Sequence, residues 1–309
     1  MQFTFTKNSV IFVTVVAVIV AAVIVVLVTR KSDDDNAQSS NPQANVRPHS
    51  KYNNDFNLVT FADGTNCTSN RVVAEAKAAD YFDNVIPLDN SDLSSEFMSE
   101  FGELMRTVRK GMGYYVWKPH LVNKTLARMN GGDVMVWCDS GNTILANRHD
   151  VMHEYYSLLL SQTASDFIVF PIHYTEGAFN QPITIDRVLG DIDPARRDEI
   201  LRAPQYACCL FFVRKTENSM RIMAEWARIS QEDGGKYIRQ YAPEPTQQPP
   251  KHNAENPDPT PFVHRHDQSI FSLLMKREQC AIEIMDNFDD ENGRVIVPTR
   301  KRDGLLPNN

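Results

Sequence analysis

The chain has 309 residues and a formal net charge of −7, with 42% hydrophobic and 23% charged residues. That length holds one large domain or two small ones, and the acidic balance excludes a general nucleic-acid binder, which needs a basic face. The five cysteines (Cys67, Cys138, Cys208, Cys209 and Cys280) are odd in number and contain no Cys-x-x-Cys pair, which argues against a zinc or redox motif of that kind and against a disulfide framework.

Residues 10–28 are apolar except for Thr14, enough for the about 20 residues that cross a bilayer as a helix. A cleaved signal peptide has an apolar core of only about 7 to 15 residues. Residues 9–29 are therefore read as an uncleaved transmembrane anchor behind a short tail, 1–8. Lys7 on one side and Arg30-Lys31 on the other leave the orientation close to a tie, leaning against a lumenal domain. Residues 30–57 are polar and predict a flexible stem. Asn-x-Thr acceptors at Asn66 and Asn123 would need lumenal exposure to be used.

From residue 58 the pattern is that of a globular α/β chain. A short strand at 58–61, a helix at 71–79 and a strand at 84–87 predict a parallel start. A helix over 93–108 follows a possible cap at 90–92, with Phe97, Phe101, Leu104 and Met105 on one face. A further helix runs to about residue 129, with Pro119 suited to its first turn. Val134–Cys138 reads as a buried strand. Then come a helix at 150–160, a strand at 167–172, a helix at 194–201, a long strand at 204–213 and a helix at 220–229. Seven prolines within 241–262 exclude a regular element and predict a long loop, a lid or a tolerated insertion. The segment 264–269 then opens a last helix that continues through 274.

Two positions stand out on chemistry. Asp139 follows the end of a buried strand, where ligands collect in open α/β sheets, and a carboxylate there suits a divalent cation. Asp139-Ser140-Gly141 is equally the composition of a plain turn. Lys118 precedes a helix whose free N–H groups offer an anion site.

Lys110-Gly111-Met112-Gly113-Tyr114-Tyr115-Val116-Trp117-Lys118-Pro119, Gly132-Asp133 through Asp139-Ser140-Gly141, and His264-Arg265-His266-Asp267-Gln268-Ser269 occur in that order. They resemble the K-G-x-G-Y-x-x-W-K-P, G-D-x-x-x-[YW]-x-D-[AS]-G and H-R-x-D-Q-S blocks of a family of small nucleotide-sugar glycosyltransferases. These have the GT-A type of fold and occur in capsule and surface-glycan synthesis in microbes, large viruses and some eukaryotes. The resemblance spans roughly residues 58–284. It implies a GT-A-like, Rossmann-like mixed sheet flanked by helices over 58–300, with a tail at 301–309.

The resemblance also implies roles. Asp139 and Asp267 become the catalytic candidates, Asp267 as base or acceptor holder. Thr60, Ala62, Asp63, Trp117, Lys118, Gly141 and Arg265 become donor or nucleotide contacts, and Gln205 and Gln268 acceptor contacts. Asp139 and His266 would hold Mn2+ or Mg2+, although Gly141 stands where many GT-A enzymes have a second aspartate. The expected partners are a nucleotide-diphosphate sugar, a glycan or glycoconjugate acceptor and, through the N-terminal helix, a membrane. Family analogy favours a type II protein of the Golgi or ER with a lumenal catalytic domain; a cytoplasm-facing domain is the alternative. A non-catalytic glycan-binding or scaffold protein is the rival function. A hydrolase or phosphotransfer enzyme lacks support, since neither a Gly-x-Ser-x-Gly elbow nor a phosphate loop occurs.

Overall fold

The computed structural model describes residues 53–64, 69–161, 165–240, 264–285 and 294–299. The anchor at 9–29, almost all of the stem, the loop at 241–262, the tail at 301–309 and the Asn66 acceptor lie outside the described residues. Among the described residues no helix is long and apolar enough to cross a membrane.

The elements, in order, are β1 (Phe56–Phe61), α1 (Asn70–Ala79), β2 (Asn84–Leu88), α2 (Ser95–Thr107), α3 (Trp117–Arg128), β3 (Val134–Cys138), β4 (Thr143–Ile144) and α4 (His149–Leu160). There follow β5 (Phe167–Val169), β6 (Pro171–Thr175), α5 (Glu176–Phe179), α6 (Pro182–Leu189), α7 (Pro194–Arg202), β7 (Pro204–Tyr206) and β8 (Leu210–Arg214). The chain closes with α8 (Glu217–Gly235), α9 (Asp267–Glu278), β9 (Ala281–Glu283) and β10 (Ile296–Val297).

Six strands form one mixed sheet in the order β2-β1-β3-β8-β5-β9. β1 runs parallel to β2 and β3, whereas β8 is antiparallel to both of its neighbours, β3 and β5. Alternate residues of each central strand feed two different cores, as a pleat of period two requires. Val59, Met135, Trp137, Phe211 and Val213 face one core, completed by α2, α3, α8 and α9. Leu58, Val136, Cys138, Leu210 and Phe212 face the other, completed by α1 and α4. With both faces covered, β3 is apolar along its whole length.

The strand order fixes where a ligand can bind. The chain leaves β1 for β2 on one side and returns to β3 on the other, so the carboxyl ends of β1 and β3 flank a switch point. Such a switch opens a crevice outside the carboxyl ends of the strands. Val59 lies opposite Trp137 in the register, which puts the residues after Phe61 and Cys138 side by side at that crevice.

Several expectations are corrected. The first strand begins at Phe56, two residues inside the segment read as stem. Residues 90–92 form a separate 3-10 turn capped by Asp89, while α2 starts at its own cap, Ser94, whose Oγ accepts from the Phe97 N–H at 3.2 Å. The strands predicted at 167–172 and 204–213 are each broken, after Val169 and after Tyr206, and their outer pieces pair as a separate ribbon, β6–β7. The two breaks meet: the Ala207 N–H donates to the Phe170 carbonyl at 2.9 Å. Asn123 lies within α3 with its Oδ1 buried, a poor presentation for a glycosylation acceptor.

Candidate active site

β3 delivers Asp139 to the crevice. Its N–H donates to the Cys209 carbonyl at 2.9 Å, and its carbonyl accepts from the Asn142 N–H at 2.9 Å. Asp139-Ser140-Gly141-Asn142 is thus a hydrogen-bonded turn, and the turn aims the carboxylate. Trp137, two residues back on the same face of the strand, donates its indole N–H to Asp139 Oδ1 at 2.8 Å.

α3 delivers Lys118. Its ammonium lies 3.0 Å from Asp139 Oδ1 and 3.4 Å from Asp267 Oδ2, and donates to the Cys208 carbonyl at 3.3 Å. The Lys118 side chain is 3% exposed, Asp139 30% and Asp267 4%. Burial alone pulls the ammonium toward neutrality, but Asp139 and then Asp267 outweigh it and hold its pKa well above the ordinary lysine value. The Asp267 contact is an ion pair without hydrogen-bond alignment, so Oδ2 keeps no hydrogen-bond donor among the described residues. Burial pushes Asp267 up to about 6, against the opposing pull of Lys118. The carboxylate therefore turns to Lys118 rather than capping α9, whose preceding residue, His266, also provides no side-chain cap.

The segment before α3 has an unusual backbone. Gly111, Met112, Gly113, Tyr114 and Tyr115 all have positive φ, between 50° and 80°. The Tyr114 N–H donates to the Lys110 carbonyl at 2.8 Å and the Tyr115 N–H to that of Gly111 at 2.9 Å. This is one turn of left-handed helix, a form that costs about 1–2 kcal/mol per residue bearing a side chain. A Cβ on Gly111 would overlap the Tyr115 ring, and one on Gly113 would lie 3.1 Å from the Met105 backbone. The turn puts the Tyr115 ring 5.2 Å from the Lys118 ammonium and stacks Tyr114 on His266. Backbone strain of this kind collects at functional sites.

The other expected site residues fall around this centre. Trp117 packs on Phe61 at 4.0 Å and donates its indole N–H to the Gly111 carbonyl at 3.0 Å, so it closes the core beneath the turn. Thr60 and Ala62 are buried, while Asp63 is half-buried. Gly141 accepts at its carbonyl from the Thr299 hydroxyl at 3.2 Å. The Arg265 guanidinium lies over Tyr174 and Phe179 rather than beside Asp139. Gln205 is fully buried and Gln268 half-buried; they belong to one chain of amides. Gln268 donates to Gln205 at 2.8 Å, Gln205 to Asn180 at 3.2 Å, and Asn180 to Glu176 at 2.6 Å. The far end is a buried ion pair, Glu176–Lys276, at 3.1 Å.

The sequence reading missed Cys208, Trp137 and Tyr115 as neighbours of the charged group. Trp137 carried a signal, since residues two apart on a strand share a face. The Cys208 contact goes through a carbonyl and carried none.

The divalent cation implied by the resemblance does not fit these residues. Lys118 already stands between the two carboxylates. His266, the other expected ligand, has its Nδ1 on the Ile238 carbonyl at 2.8 Å and its ring against Tyr114, which leaves Nε2 as its one nitrogen for a ligand. Among the described residues no group of three or more His, Cys, Asp or Glu is placed to hold a metal ion.

The solved structures similar to the chain include three glycan-synthesis proteins. A glycosyltransferase involved in the glycosylation of the major capsid of PBCV-1 is 11% identical, with TM-score 0.32, over 58% of this chain and 68% of its own. Mouse xyloside xylosyltransferase 1, apo form, is 11% identical, with TM-score 0.39, over 75% and 84%. Core-mannan synthase A from Aspergillus fumigatus, in its Mn/GDP form, is 8% identical, with TM-score 0.40, over 81% and 76%. No protein-family model and no curated protein matches the chain. The reading of the site rests on its own geometry.

Proposed function

We propose that this chain is a glycosyltransferase that moves a sugar from a nucleotide-diphosphate donor to a hydroxyl of a glycan or glycoconjugate. One observation carries the reading. Three separate blocks, carrying Lys118, Asp139 and Asp267, converge on a single ammonium at the carboxyl end of β3, beside the switch point of the sheet.

In this reading the bond from the anomeric carbon to the diphosphate oxygen breaks, and a bond from that carbon to the acceptor oxygen forms. Asp139, the exposed member of the pair, faces the donor sugar. Asp267, with an oxygen lacking a hydrogen-bond donor, is the candidate to take the acceptor proton. The nucleotide lies along the residues that follow β1, near Asp63. No step is routed through a metal ion. The apolar run at 10–28 would anchor the domain as a type II protein facing the lumen of the Golgi or ER.

The test is a screen of UDP-, GDP- and CMP-sugars against the full chain in detergent, read by thermal shift and nucleotide release. Stabilisation by one donor with slow donor hydrolysis is expected. A folded protein that responds to none of them overturns the reading in favour of a non-catalytic glycan-binding or scaffold protein.

A further inference from the structure

We infer that the Lys118 ammonium is the resident cation of the Asp139–Asp267 pair. The protein takes up no divalent cation there, and removing the ammonium opens a divalent-cation site between the two carboxylates. The inference deepens the transferase reading, but its central measurement is independent of activity.

The ammonium is not a side chain passing by. It is enclosed by Asp139, Asp267 and the Cys208 carbonyl, with the rings of Tyr115, Trp137 and Trp117 at 5.2, 5.8 and 5.9 Å. Hydrogen bonds to Asp139 and to the Cys208 carbonyl, together with the Asp267 ion pair, hold it in place, so Lys118 is a positioning residue. Its stem, in the first turn of α3, is buried along with its head.

A divalent ion that bound both carboxylates would have to come within about 2.0–2.6 Å of their oxygens. That places it against the ammonium, and like charges at such separations in a buried site repel strongly. Without the ammonium the same point is surrounded by hard ligands: two carboxylates and one carbonyl, with Asp267 Oδ2 already lacking a hydrogen-bond donor. The Trp137 indole would still hold Asp139 in place, as outer-shell partners of metal ligands do. One positive charge thus replaces another.

The experiment is a Mn2+ titration of the full chain, reading free Mn2+ by its electron paramagnetic resonance signal. It compares the unsubstituted protein with Lys118→Ala, Lys118→Ser and the double variant Lys118→Ala/Asp139→Asn. The unsubstituted protein should leave the free signal intact. The single variants should bind one ion per chain at least about tenfold tighter, the effect of removing a neighbouring like charge, and the double variant should lose that ion. Uptake of Mn2+ by the unsubstituted chain, abolished by Asp139→Asn, overturns the inference. So do folded single variants that bind no tighter. If neither single variant folds, the unsubstituted arm alone decides. A parallel thermal-shift arm with the nucleotide sugar, with and without chelator, separates the two readings: silence towards every donor overturns the transferase while leaving the Mn2+ result standing.

Discussion

Tyr114 and His266 stack with ring centroids 4.8 Å apart, and both residues have positive φ, 59° and 58°. Two strained stretches, the left-handed turn before α3 and the residue before α9, therefore brace each other. Between them they set the distance from Lys118 to Asp267, because each charged residue sits just beyond its own strained backbone.

The glycines of the turn are the first point of attack. Gly111→Ala forces a Cβ into the Tyr115 ring at φ +55°, and should destabilise the domain by about 2–4 kcal/mol, adding overpacking to left-handed strain. Gly131→Ala, with nothing within 4 Å of its Cβ, should be neutral or stabilise by up to about 1 kcal/mol. Urea unfolding of the two variants checks both values.

Asp139→Ala should abolish glycosyl transfer, a loss of at least about 100-fold as for removal of one electrostatic partner of the reacting centre. The carboxylate is partly exposed, so the variant should stay folded by circular dichroism. Normal turnover in that variant would remove Asp139 from the mechanism.

Asp267, raised to about 6 by burial against the pull of Lys118, should give kcat/KM a rising acid limb that levels off above about pH 6, where the carboxylate is ionised. The limb should vanish with activity in Asp267→Asn. Its effect on stability has a definite sign. A folded pKa above the unfolded value means a contribution fully present below about 3.8 and lost as pH rises through about 6.

The histidines oppose it. Burial pushes His264 down to about 3 and His266 down to about 4, both below the unfolded value of about 6.5. Their contribution is complete above about 6.5 and is lost as pH falls toward those lower values, by at most about 1.4 kcal/mol per pH unit for each. His264→Gln should flatten the decline of melting temperature between pH 6.5 and 4.

Lys276→Met should destabilise by about 3–5 kcal/mol, because it strands the fully buried Glu176 without its counter-ion. The double variant Glu176→Gln/Lys276→Met should recover most of that loss. Thermal melts of the single and double variants measure the coupling.

The strands and helices that bury apolar faces were readable from the sequence: β3 at its exact residues, α1, α4 and α7 to within about a residue or two, a spread usual for helix ends. The break after Tyr206 was not, since the residues around it are apolar and their pattern says nothing about where pairing stops; the break after Val169 had one local sign, Pro171, which has no N–H to give to a ladder. Asp139, Lys118 and Asp267 were chosen from their blocks, yet nothing local showed that they share one ammonium. That contact needs α3, β3 and α9 assembled. Gln205 illustrates the converse: a polar residue before a strand suggests a surface contact, and only tertiary packing shows that its amide links Gln268 to Asn180.

The break after Tyr206 turns two neighbouring carbonyls toward the site: Cys208 accepts from the Lys118 ammonium at 3.3 Å, and Cys209 accepts from the Asn142 side-chain amide at 2.8 Å. Both of these contacts are made by the backbone and not by the thiols, and every residue type has a carbonyl. A comparison that scores identical side chains would pass over the segment that holds the charged centre in place.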